Sequence, residues 1–262
     1  MRLDYYLSQN NCISRSKAKS LIDEGCVTVD GKIVKKPSFE IDETAEHIVS
    51  VDDSANPYVS RGGLKLKGAL DAFKVDVKDK VCADIGASTG GFTDCLLKHG
   101  AKRVYAVDSG TDQLVNTLKC DPRVVSMEKF NARDLRYDTF GELCSIAVAD
   151  LSFISQTYVL EGIAAVLENG GEYIGLIKPQ FECGRAAIGK GGIVKKATDH
   201  LYAIERVTDF AVSVGFEVKS VIISPIRGGD GNREFLMYAV KNTSEPMCRL
   251  SKSQLSALTR EK

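Results

Sequence analysis

Two acids and three glycines between Val81 and Asp108 carry the first chemistry in the chain. The run VCADIGASTGGFTDCLL reads as an apolar strand ending near Asp84, a turn through Gly86, Gly90 and Gly91, and an amphipathic helix. That order builds a nucleotide crevice at the carboxyl end of a strand in an open α/β sheet. The glycine spacing does not fit the G-x-G-x-x-G of dinucleotide sites. A carboxylate two residues before Gly86 would repel a pyrophosphate and attract the amino group and sulfonium of S-adenosylmethionine, so a methyl donor is the expected cofactor. Some way on, RVYAVDSG supplies a second strand ending in Asp108, placed to accept both ribose hydroxyls of an adenosine. The expected cofactor contacts in this stretch are Asp84, Gly86, Ala87, Ser88, Gly90, Gly91, Phe92 and Asp108.

A second group of residues could move a proton. SIAVAD ends in Asp150, EYIGLIKP delivers Lys178, and NREFLMYAVK opens with Glu234 at the start of a last strand. A ribose 2′-hydroxyl is a poor nucleophile near neutral pH, so transfer to it needs a base; a lysine serves when burial or a neighbouring cation lowers its pKa. Lys178 is the expected base, and Asp150, also an expected cofactor contact, and Glu234 are the orienting carboxylates of an in-line transfer held mainly by positioning. The second cation lies in SRGGLKLKG, where spacing alone does not choose between Lys65 and Lys67. Amino-methylating enzymes carry an N-P-P-Y type motif after the fourth strand; here the residues are Asp150-Leu151-Ser152-Phe153, which points to an oxygen target. The plain alternative is a surface ion-pair network.

The elements that must position these groups alternate strand and helix, which predicts a doubly wound α/β domain over 61–242 ending in an antiparallel hairpin. GTDQLVNTLK is expected as a polar helix and VVSM as the third strand, followed by Asn131 and Ala132, which stand where a class I (Rossmann-like) methyltransferase sheet holds its adenine or else form a plain turn. FECGRAAIGKGGIVKK reads as a mobile, basic substrate loop offering Arg185, Lys190, Lys195 and Lys196 to phosphates. Pro57 and the Gly62-Gly63 pair mark a linker at 53–60, and 243–262 reads as a tail.

Residues 1–52 predict a small α+β domain. SRSKAKSLIDEG is a helix with Ser14 as N-cap and Gly25 as stop, and Arg15, Lys17 and Lys19 in its first turns oppose the helix dipole, a placement that suits phosphate contact. Asp30-Gly31 predicts a type I′ hairpin running on to Lys35 and Lys36. The stretch from Ser14 to Gly31 resembles the RNA-binding domain named after ribosomal protein S4. Asp4, in a triplet also seen at pseudouridine synthase active sites, reads as structural, and His47 as solvated. With Arg61, these basic residues and those of the loop form the expected RNA contacts.

Lys+Arg 35 against Asp+Glu 35 gives a formal net charge of zero, so RNA must be held by local patches. The eight cysteines include no C-x-x-C pair, which predicts a reduced, cytoplasmic protein without a metal site or catalytic thiol. No apolar run reaches membrane-span length and Met-Arg-Leu-Asp is no signal sequence, so neither export nor a membrane is expected.

In sequence order, SRGG-x-K, DIGASTGGFTD, ADLSFIS, LIKPQFE, KGGIV and GNREF together resemble the TlyA (haemolysin A) family, an RNA-binding domain joined to an FtsJ-like ribose methyltransferase. The resemblance implies a Lys-Asp-Lys-Glu tetrad at Lys65, Asp150, Lys178 and Glu234, which selects Lys65 over Lys67. It also implies methylation of a cytidine ribose in ribosomal RNA, free or in subunits. The short stretch before the first helix points to the large subunit (23S), with the small one (16S) as a further target. Asn56-Pro57-Tyr58-Val59 departs from the Arg-Ala-Trp-Val of some members. The competing readings are a membrane-active haemolysin and a non-catalytic RNA-binding assembly factor.

Overall fold

The computed structural model describes residues 1–10, 15–23, 25–52, 56–228, 231–242 and 250–260, and excludes the side chains of Ser16, Lys17 and Ser20. The expected cap Ser14 and the expected RNA contact of the Lys17 side chain therefore lie outside the described residues. Chain contacts divide the molecule into two units, Met1–Arg61 and Gly62–Lys262.

In the first unit, α1 (Leu3–Asn10) and α2 (Arg15–Asp23) pack over a three-stranded sheet of β1 (Val27–Val29), β2 (Lys32–Ile33) and β3 (Val49–Val51), in the order β2-β1-β3. Leu3 and Leu7 meet Ala18, Leu21 and Ile22, each pair or triplet spaced to share one helical face, and all five are buried. Asp30 and Gly31 both take positive φ, 51° and 75°, as a type I′ turn requires. Asp4 is buried and accepts from Arg2, and Arg15 lies 3.3 Å from it. The Arg2 hydrogen bond, with Arg15 adding to it, holds the Asp4 carboxyl down at about 2 against the cost of burial. His47, expected to be solvated, is half-buried with Nδ1 2.7 Å from the Asp30 carboxylate, so the hairpin turn is tied to the segment that leads into β3.

The second unit opens with α3 (Gly62–Phe73), β4 (Val81–Ile85), α4 (Gly91–Lys98), β5 (Arg103–Val107), α5 (Asn116–Lys119) and β6 (Val124–Met127). It continues through β7 (Cys144–Ala149), α6 (Leu160–Val166), β8 (Leu167–Ile177), α7 (Pro179–Glu182) and α8 (Ala197–Ser213) to β9 (Phe216–Ile223), β10 (Phe235–Lys241) and α9 (Lys252–Arg260). The seven strands lie in the order β6-β5-β4-β7-β8-β10-β9, with β10 antiparallel between β8 and β9. This is the class I methyltransferase sheet. The central strands β4 and β7 are buried on both faces, which is why they read as unbroken apolar runs.

Three stretches differ from expectation. Residues 110–115 do not continue the helix of α5, because the Glu128 carboxylate accepts from the backbone N–H groups of Asp112, Gln113 and Leu114. Glu128 is held at about 2: burial pushes its carboxyl up, but these donors and Lys119 outweigh it. The expected mobile loop is pinned in its second half by Asn232, whose Oδ1 accepts from Val194 N–H and whose Nδ2 donates to the Gly192 carbonyl, both at 2.9 Å. Finally, the stretch read as a tail contributes α9, whose Leu255 joins the core around α8 and β9.

Candidate active site

β4 and β7 are parallel neighbours with Ile85 opposite Ala149, so the turn after β4 faces Asp150. Gly86 has φ 86°, and a Cβ there would lie 2.8 Å from the Asp150 carbonyl oxygen, so only glycine fits. The turn is held by the Val107 carbonyl, which accepts from Gly86 and Ala87 N–H, and by Asp108, whose carboxylate accepts from Ser88 N–H at 2.8 Å and Gly110 N–H at 2.7 Å. Asp108 thus shapes the crevice as well as facing it. Gly90, at φ 98°, starts α4; Gly91 and Phe92 are buried in its first turn, so Phe92 supports the crevice from behind.

Asp84 is fully buried. Its Oδ2 accepts from Thr93 Oγ1 at 2.6 Å, and its Oδ1 has no hydrogen-bond partner among the described residues. Burial lifts its carboxyl to about 7 against the Thr93 hydrogen bond, and Asp150 and Asp108 push the same way. A desolvated carboxylate with one oxygen awaiting a donor fits a cationic ligand group, as the amino and sulfonium groups of S-adenosylmethionine provide. Asn131 is exposed and uses its side chain to cap the turn Ala132–Asp134, accepting from Arg133 N–H at 3.1 Å.

The lysines and carboxylates form two pairs. Lys178 Nζ lies 2.7 Å from Asp150 Oδ1 and donates to Ser152 Oγ at 2.9 Å. Lys65 Nζ, from α3, donates to Glu234 Oε2 at 2.6 Å, with both side chains at most one-tenth exposed. Phe235 pairs with Ile177 across β10 and β8, and one further step of that register sets Glu234 beside Lys178. Lys67 instead pairs with Asp71 on the outer face of α3.

Ser152 and two aromatic rings were not foreseen from the sequence. Phe153 is 92% exposed at φ 64°, a strained conformation for a bulky side chain that costs about 1–3 kcal/mol. Its ring lies 5.3 Å from that of Phe181, and Phe181 is 5.9 Å from Lys178 Nζ. Phe153 stands three residues after Asp150 in the sequence, but its exposure and φ are visible only in the fold.

Of the expected RNA contacts, Arg15 is engaged with Asp4, while Lys19, Lys35, Lys36, Arg61, Arg185 and Lys190 are exposed. Burial pushes the thiols of Cys82 and Cys144 up to about 12, which removes them as nucleophiles at neutral pH. Among the described residues, no group of His, Cys, Asp and Glu could hold a metal, and no helix is long and apolar enough to cross a membrane.

Comparison with known proteins bears on the same two units. Residues 58–241 match the family model for FtsJ-like methyltransferases and residues 1–47 that for the S4 domain. The chain is 45% identical to the protein named Hemolysin A of Brachyspira hyodysenteriae, over 92% of this chain and 100% of that one. It is 39% identical to the 16S/23S rRNA (cytidine-2′-O)-methyltransferase TlyA of Mycobacterium tuberculosis, over 89% of this chain and 87% of that one. A solved structure from Streptococcus thermophilus, 42% identical, covers 99% of this chain and 94% of its own with a TM-score of 0.79.

Proposed function

This chain belongs to the TlyA (haemolysin A) family of FtsJ-like, S-adenosylmethionine-dependent methyltransferases, and we propose that it methylates a cytidine ribose 2′-hydroxyl of ribosomal RNA. The observation that carries the ribose assignment is the pair of lysine–carboxylate contacts, the partly buried Lys178–Asp150 and the buried Lys65–Glu234, at the strand ends beside the Asp84–Gly86 turn. When bound, S-adenosylmethionine supplies an electrophilic methyl group on a sulfonium.

Asp84 receives the cationic end of that cofactor and Asp108 its ribose. With the cofactor bound, Lys178 Nζ would take the proton of the ribose 2′-hydroxyl as that oxygen received the methyl group. Asp150 and Ser152 fix the position of Lys178 Nζ for that proton transfer. Lys65 is kept in place by Glu234, the residue that the β10–β8 register sets beside Lys178. The exposed Phe153 ring, backed by Phe181, offers a face on which the target base can stack. Lys19, Lys35, Lys36 and Arg61 of the first unit and Arg185 and Lys190 of the second supply phosphate contacts.

The proposed target lies in the large subunit. The name of the M. tuberculosis relative covers both 16S and 23S RNA, and offering isolated subunits separates the two. Lys178→Ala should reduce methyl transfer at least a hundredfold, the usual scale for loss of a general base, while S-adenosylmethionine binding stays within twofold. A variant that transfers methyl at the normal rate would remove Lys178 from the chemistry.

A further inference from the structure

A second cavity, of about 440 Å³, opens at the amino end of α8. Lys195, Ala197, His200, Arg227, Arg233 and Thr259 line it. Arg227 and Arg233 make no ion pair among the described residues. Arg227 donates to the Gly231 carbonyl at 3.3 Å and Arg233 to the Thr259 carbonyl at 3.4 Å, both long for charged donors. Among the described residues no carboxylate lines the cavity beside these three cations, which repel one another, an arrangement that an anion relieves.

Two further features point to the same ligand. α8 is a 17-residue helix whose N-cap, Lys196, makes no side-chain capping bond, and its first residue, Ala197, lines the cavity, which sets the positive end of the helix dipole there. His200 is 5% exposed and lines the wall, with Nε2 3.0 Å from the Val194 carbonyl and Nδ1 buried with no partner among the described residues. A carbonyl only accepts, so Nε2 carries the hydrogen and Nδ1 is left as a bare acceptor suited to a ligand hydroxyl or amino group. Burial lowers the pKa of His200, the Val194 hydrogen bond opposes this, and Arg233 and Arg227 lower it further while Asp199 works against them. Asp199, the acid of the first helical turn, does not line the cavity. Phosphate donors beside an acceptor match a nucleotide unit, which offers an anion and a hydroxyl together.

The cavity is tied to the candidate active site through one short segment. Arg233 precedes Glu234, and side chains alternate across an extended strand, so the one faces the α8 side while the other reaches Lys65 of α3. Asn232 next to them locks the Gly192–Val194 wall. A nucleotide strand passing over this end of the sheet connects the Lys178 face with the α8 face. Resting on the reading of an RNA substrate, we propose that this cavity binds a backbone phosphate of the substrate strand flanking the methylated nucleotide, through Lys195, Arg227, Arg233 and the α8 amino end.

The test uses the full chain, a single-stranded RNA carrying the target cytidine, and Arg227→Gln alone and with Arg233→Gln. The double variant should bind this RNA about tenfold more weakly and lower the dependence of log affinity on log salt by about 0.7 for each phosphate it no longer engages, with S-adenosylmethionine affinity unchanged. Arg227→Gln, on an exposed side chain, should show part of the same weakening with an unchanged melting temperature. RNA affinity and salt slope equal to wild type in both variants would overturn the assignment. So would variants that lose inorganic phosphate but keep RNA, which would make the cavity a site for a free anion. Methyl transfer is measured in parallel: wild type that binds RNA through these arginines and methylates none of it would leave the cavity standing and defeat the ribose-methylation reading, whereas normal methylation with arginine-independent binding would do the reverse.

Discussion

Asp84 shows how one residue sets both what the crevice binds and when. Its carboxyl is raised to about 7 chiefly by burial, and a cation can be bound only by the ionised form. S-adenosylmethionine binding should therefore release a proton below pH 7, with affinity rising as pH approaches 7 and levelling above it. The stability of the free protein runs the other way: the folded state holds the Asp84 proton up to about 7 and the unfolded chain only to about 3.8, so this group's contribution is lost as pH rises through that window. Titration calorimetry in buffers of different ionisation enthalpy reads the proton directly. Asp84→Asn should bind more weakly and lose this share of the pH dependence; an identical pH profile in the two proteins would contradict the role given to Asp84.

At the scale of elements, the β4–α4 turn is where backbone geometry and chemistry meet. Gly86→Ala would force a side chain to positive φ, at about 1–2 kcal/mol, and push its Cβ against the Asp150 carbonyl, a backbone atom that moves only with the end of β7. The expected result is a melting temperature several degrees lower, together with weaker cofactor binding and slower transfer; a variant with unchanged stability and cofactor affinity would show that the turn can relax. Much of this element was legible in the sequence, because a strand buried on both faces is a continuous apolar run and a glycine turn is a local event. The expected helix over residues 110–119 failed for the opposite reason. Its first half is organised by Glu128, a residue from the next strand end, whose carboxylate takes three N–H groups that a helix would have left to local partners. The register that sets Glu234 beside Lys178, and the meeting of Lys195, His200, Arg227 and Arg233 in one cavity, are likewise products of β10 entering between β8 and β9. Spacing along the chain carries no trace of them.

The whole molecule has no net charge to attract RNA, so binding rests on where the cations stand. Lys35 and Lys36 are exposed beyond the hairpin of the first unit, and the second unit carries the Lys178 site and the arginine-lined cavity. Lys35→Glu with Lys36→Glu should weaken RNA binding severalfold and flatten its salt dependence without altering S-adenosylmethionine affinity, since each unit has its own core; unchanged RNA affinity would take this patch out of the interface. All of this converges on one reaction, and the direct measurement is transfer of labelled methyl from S-adenosylmethionine to ribosomal RNA and isolated subunits that lack the modification, with wild type and Lys178→Ala side by side. The account predicts label in an alkali-resistant dinucleotide from the large subunit, absent with Lys178→Ala although the variant still binds cofactor. Label on a base, or label undiminished in Lys178→Ala, would contradict it.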